Sequence, residues 1–134
     1  FNTSKFIITS DIKSIISYFS ELEENGLDII TYLNGITDHY RNLLIVKTTE
    51  KADLLDESDE TKKKFLEEAK SYSIDQIQRI LKLLFESEQR FKYSGNQKVL
   101  MESLLVELCR INREVVDISE LISGLETLKK KSLK

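Results

Sequence analysis

Proline is absent from all 134 residues, and glycine occurs only at Gly26, Gly35, Gly95 and Gly124. Proline removes a backbone donor and clashes with the preceding turn, and glycine gives up the most backbone freedom on ordering, so both are costly inside helices. A chain that avoids both, and takes much of its charge from Lys and Glu, is biased toward long helices joined by few turns. The predicted class is all-α: a compact bundle of about five helices plus an additional C-terminal helix or tail. With 40% hydrophobic residues, a chain of this length can bury a core as one domain. No apolar run approaches the roughly 20 residues of a membrane span.

The apolar spacing divides the chain into a leading segment 1–10, a helical unit 11–112 and a helical tail 113–134 with a basic end. Phe6, Ile7 and Ile8 in the leading segment fit a short helix or an arm equally well. Asp11 is placed to cap a first helix carrying Ile12, Ile15, Ile16, Phe19 and Leu22, which stops at Asn25-Gly26. Asp28 caps the next, whose main stripe is Ile29, Leu33, Ile36, Tyr40, Leu43, Leu44 and Lys47. Ile30, Ile45 and Val46 lie off that stripe, which predicts a second neighbour for this helix, inside the domain or across a subunit contact.

Residues 48–61 are polar and acidic, with Leu54 and Leu55 as anchors to the core. A third helix begins near Ser58–Thr61, where Asp59 and Glu60 complement the helix dipole, and buries Phe65, Leu66, Ala69 and Tyr72 while Lys62–Lys64 face solvent. Ser73 and Gln76 have capping-box spacing ahead of a fourth helix bearing Ile74, Ile77, Ile80, Leu81, Leu84, Phe85 and Phe91. Ser94-Gly95-Asn96 separates it from a fifth, Gln97–Asn112, apolar on most sides and predicted to be the most buried. The tail keeps Val115, Ile118, Leu121, Leu125 and Leu128, then ends in Lys129–Lys131 and a frayed Ser132-Leu133-Lys134.

Most chemistry is excluded by what the chain lacks. One histidine, His39, and one cysteine, Cys109, cannot make a four-ligand zinc site or the paired Glu-x-x-His motifs of a two-metal bundle. The acidic stretch Asp53–Glu60 has neither the spacing nor the glycine of a calcium loop. A Cys109–His39 nucleophile pair would need a reactive thiol, but Cys109 lies in the most apolar helix. No phosphate-binding glycine loop is present, so no cofactor is expected. Net charge −3 and a pI near 5.3 supply no field for DNA or an anionic membrane. Arg90, Lys92 and Lys98 with interleaved Phe91 and Tyr93 could suggest single-strand binding, against which stand the acidic domain and a core position for Phe91. The lone cysteine favours a reducing compartment. The polar Phe1–Lys5 start predicts no secretory leader, Asn2-Thr3-Ser4 reads as a chance sequon, and a start without methionine is the pattern expected of an excised piece.

One ordered pattern goes further. Gly26-Leu27-Asp28, Leu33, and then Asp38-His39-Tyr40-Arg41-Asn42-Leu43-Leu44-Ile45-Val46-Lys47 are followed by Lys70-Ser71-Tyr72-Ser73, a long Ile77–Phe91 helix, Ser94 and Asn96, and a Leu-rich helix closing at Leu108-Cys109. In order and spacing, residues 11–112 resemble the third domain of the gamma/tau subunit of the bacterial DNA polymerase III clamp loader. Departures fall at Ile29 and Gln97, where members often carry proline, and at Asn42, where aspartate is usual; they touch caps and surface and leave the core spacing intact.

The resemblance implies a cytoplasmic bacterial replication protein whose third domain oligomerises. With copies of itself and with delta- and delta-prime-type subunits it would form a collar holding ATPase modules in a ring that loads the sliding clamp. The modules themselves lie outside this chain, so the fragment is not an enzyme. Polymerase core and helicase would be reached through regions beyond it, with no direct nucleic-acid binding and no membrane. Candidate interface residues are Ile30, Arg41, Asn42 and Ile45. The alternative is a helical adaptor docking its Val115–Leu128 tail into a partner's groove.

Overall fold

In the computed structural model, which describes residues 1–132 and the side chains of 1–111 and 121–131, every regular element is an α-helix. The order is α1 (Asn2–Ile8), α2 (Ile12–Glu24), α3 (Ile29–Thr49), α4 (Asp59–Ala69), α5 (Ile74–Tyr93) and α6 (Gln97–Ser132). Side-chain oxygens start four of them: Asp11 accepts from Ser14 N–H, Asp28 from Thr31, Ser58 from Thr61 and Ser73 from Gln76. At Ser73 the bond is reciprocal, because the Gln76 carbonyl accepts from Ser73 N–H at 2.7 Å and completes the capping box. Gly26 closes α2 at φ +89°, a conformation that glycine adopts without strain.

The central element is α3, which packs against α4, α5 and α6, while α6 packs against α1, α2, α3 and α5. One continuous core joins them, built on Ile15 and Phe19 of α2, Leu33, Tyr40 and Leu43 of α3, Ile77, Ile80 and Leu84 of α5, and Met101, Leu105 and Leu108 of α6. At the centre of this core the Tyr40 and Tyr72 hydroxyls hydrogen-bond each other at 2.8 Å. Tyr72 also donates to the Ser4 carbonyl at 3.1 Å. The Ser10 hydroxyl donates to the Cys109 carbonyl at 3.2 Å, and the Cys109 thiol points to the Phe6 carbonyl. The leading residues are thus a helix of the bundle, burying Thr3, Ser4 and Ile7. No break falls at Asn112 either, since α6 runs unbroken through it, although the side chains of Val115 and Ile118 and residues 133–134 lie outside the described residues.

Several side chains differ from the sequence expectation. Val46, assigned off the stripe of α3, is buried, because it closes the α4 side of the helix beside Ala69, where Lys47 had been expected. Leu55 and Ala52 anchor the 50–58 connection, whereas Leu54 is 72% exposed; one turn of chain presents only one face to the core. Leu66, Ile74 and Phe85 are more than a third exposed, because α4 and α5 each show an apolar edge that none of the described side chains covers. Among the described residues α5 buries more side chains than α6, since Val99 of α6 is exposed and Val106 half-buried on its outer side.

Burial pushes the Cys109 thiol up to about 11 from its ordinary 9.0, and Tyr32 to about 12 from 10.0. It also raises Tyr40 and Tyr72. In each case the folded pKa lies above the unfolded one, so the stabilisation is complete below about pH 9. It is lost as pH rises through these folded values, because the unfolded chain gives up its protons first. Urea unfolding at pH 8 and pH 10.5 is expected to show a lower midpoint at the higher pH, with Cys109→Ala removing the earliest part of the decline. Tyr72→Phe deletes the hydroxyl shared by Tyr40 and Ser4, and thermal melts should report a loss of about 1–3 kcal/mol. At Gly35, inside α3, an added Cβ meets nothing within 4 Å, so Gly35→Ala should gain about 0.5–1 kcal/mol in the same measurement.

Candidate assembly interface

The four candidate interface residues all lie on α3 but do not form one patch. At 3.6 residues per turn, Ile30, Arg41 and Ile45 follow a single edge of the helix, about 22 Å long, and Asn42 sits a step around it toward α4. Ile30 and Ile45 are half-buried and packed against the core, so each spends part of its surface inside the domain. Arg41 Nη1 lies 3.3 Å from Asp38 Oδ1 in a pair more than half exposed on both sides. Such a pair contributes at most about 1 kcal/mol, so a partner can redirect the guanidinium at little cost. Asn42 lines a cleft of about 220 Å³ with Gly35, Asp38, Thr61 and Phe65.

His39 marks where α3 meets α4. Its Nε2 lies 3.1 Å from both carboxylate oxygens of Glu68, and its ring packs on Phe65 and Phe1 with centroids 4.9 and 4.6 Å away. This clasp fixes α4, whose packing is almost wholly against α3. Cys109 faces Phe6 and Ser10 instead, so the two residues of the conceivable nucleophile pair have separate partners. Among the described residues no group of three or more His, Cys, Asp or Glu side chains could hold a metal ion.

The basic and aromatic group near Gly95 is also dispersed. Phe91 is core, Tyr93 is 88% exposed, and Lys98 Nζ is 3.1 Å from Glu23 Oε1, tying α6 to α2. No described helix is long and apolar enough to cross a membrane.

The described residues leave apolar and charged side chains of α3, α4 and α5 at the surface. Against family models, residues 1–124 match domain III of DNA polymerase III subunits gamma and tau. The chain belongs to that family. The match runs beyond the 11–112 resemblance at both ends, in keeping with α1 packing into the core and α6 continuing past Asn112. No curated protein and no solved structure matches at a significant level. The chain is thus the oligomerisation (collar) domain of a gamma/tau-type subunit, an assembly module.

Ile74 and Phe85, which the sequence placed in the apolar stripe of α5, point outward instead. They lie beside Leu81 on the edge of α5, at intervals of seven and four residues. The signal was the width of the stripe: Ile77, Ile80, Leu84, Ser87 and Phe91 already fill the buried face, leaving the remaining apolar residues outside it. Arg41→Ala should leave the thermal midpoint within the range of an ordinary surface change, about 0.5 kcal/mol. The same variant should weaken self-association in sedimentation velocity.

Proposed function

We propose that this chain holds clamp-loader subunits together in a ring, through contacts with copies of itself and with delta- and delta-prime-type subunits, in the bacterial cytoplasm. The observation that carries the reading is the family match over residues 1–124. The outer edge of α3, with Ile30, Arg41 and Ile45, supplies one contact surface, and Asn42 beside the α4 cleft supplies a neighbouring one. ATPase modules attached to such domains would be held in a fixed circular order, which is what opening and placing a sliding clamp on DNA requires. Polymerase core and helicase would be reached by regions other than this one. Direct DNA binding is not part of the role, since an acidic domain gains no counterion release on a phosphate backbone.

Mixing the chain with delta- and delta-prime-type subunits at high micromolar concentration should give a larger species in sedimentation velocity. Removal of residues 113–134 should leave that species intact, because the proposed surfaces lie on the bundle. A chain that stays monomeric alone and with those subunits would overturn the reading. The adaptor alternative rests on the apolar side chains along the end of α6, and it predicts the opposite result of the same deletion.

A further inference from the structure

Among the described residues each of the other helices packs on two or more neighbours, whereas α4 packs almost wholly on α3. Of its eleven residues only Phe65 and Ala69 are buried, and most of the rest are charged. The seat also depends on Glu68, whose two carboxylate oxygens each lie 3.1 Å from His39 Nε2. The His39 and Glu68 side chains are only 11% and 16% exposed, so breaking this bond leaves both groups poorly partnered. Clefts border the seat toward both ends of α4, one against Gly35, Asp38 and Asn42 of α3, the other against Val46, Lys47 and Glu50. The chain is pinned just outside the helix on either side. Leu55 is buried before it, and Tyr72 is held after it by the Tyr40 hydroxyl and the Ser4 carbonyl. Between the pins and the helix, Asp56–Ser58 and Lys70–Ser71 are exposed. Loss of the α4 contacts therefore frees residues 56–71 and leaves both pins in place.

We propose that α4 is a hinged cover that lifts from α3 as a unit, and that the assembly contact at Asn42 forms only while it is seated. The cleft dictates the coupling. One wall is Asp38, His39 and Asn42 of α3, and the other is Glu57, Thr61 and Phe65, which leave with α4. A neighbouring subunit that fills this space of about 220 Å³ touches both walls, so it binds the seated form and not the lifted one. Binding of that kind draws the equilibrium toward the seated form in proportion to its own strength. The coupling rests on the ring reading, whereas the lifting of α4 does not. Once off α3, a helix of eleven residues does not persist in water, so lifting is visible as amide exchange.

The test is hydrogen exchange of the full chain, read by mass spectrometry in urea below the unfolding transition. Amides of Lys64–Ala69 should exchange faster than those of α2 and α5, and with little dependence on urea, since lifting exposes little apolar surface. Glu68→Ala should speed exchange in α4 at least about tenfold, the loss expected of a bond to a charged group, and leave α2 and α5 within about twofold. Glu68→Gln, whose amide oxygen still accepts from His39, should fall between. With a delta-type subunit present at about ten times its dissociation constant, exchange in α4 should slow about tenfold. Glu68→Ala with Lys63→Gly, neither of which lines the Asn42 cleft, should weaken that binding in proportion to the share of chains with α4 lifted. If α4 exchanges with the same urea dependence as α5, it opens only when the whole bundle unfolds, and the hinge is overturned. Subunit binding that leaves exchange in α4 unchanged would overturn the coupling while the ring reading stands. A chain that binds neither copies of itself nor a delta-type subunit fails the ring reading and the coupling together, with lifting still decided by the chain alone.

Discussion

The paired hydroxyls of Tyr40 and Tyr72 are the constraint around which the bundle is arranged. Two phenols buried at the meeting point of α3 and the α4–α5 connection must find partners, or each costs about 1–3 kcal/mol of desolvation. They satisfy each other, and the spare Tyr72 proton goes to the Ser4 carbonyl. That last bond is polar and directional, so it fixes where α1 can sit in a way that an apolar contact would not. Around this point the remaining contacts are mostly apolar and tolerant of shape, with Ile7, Leu43, Ile77, Leu84 and Leu105 filling space.

Helix identity, caps and the main buried stripes were legible in the sequence because each has a local cause. Asp11, Asp28, Ser58 and Ser73 each act on a donor three residues away, and the apolar rows of α2 and α3 need only the period of the helix to be visible. The less legible features depend on neighbours that are distant in sequence. Phe85 and Ile74 belong to an apolar row that outgrows its covered width, and only the packing of α3 and α6 on α5 decides which members stay outside. Val46 is core because α4 returns to that side of α3. Thr3 and Ser4, polar letters in an unpatterned start, are buried with their hydroxyls satisfied, Thr3 by the Tyr32 hydroxyl and Ser4 by donation to the Phe1 carbonyl.

The candidate interface was less legible still. Ile30, Arg41 and Ile45 share an edge by helical period alone, but their exposure depends on how far the flanking helices wrap α3. Each isoleucine proves half-buried, so the edge presents apolar flanks and a charged centre instead of a wholly apolar strip. Asn42 faces a different cleft because a single residue step turns a helix by about 100°. A one-letter departure there, asparagine for aspartate, alters a charge beside Asp38 and not a core position.

The hydrogen bonds that hold α1 also set an order of events in synthesis. Ser4 is bound through Tyr72, 68 residues later, and Ser10 through Cys109, 99 residues later. A seven-residue helix is too short to persist alone in water, so α1 has no stable form until those partners emerge. At about 5–20 residues per second, that is a wait on the order of 5–20 s on the ribosome. Made ahead of the rest of the bundle, α1 is therefore among the last of its helices to settle.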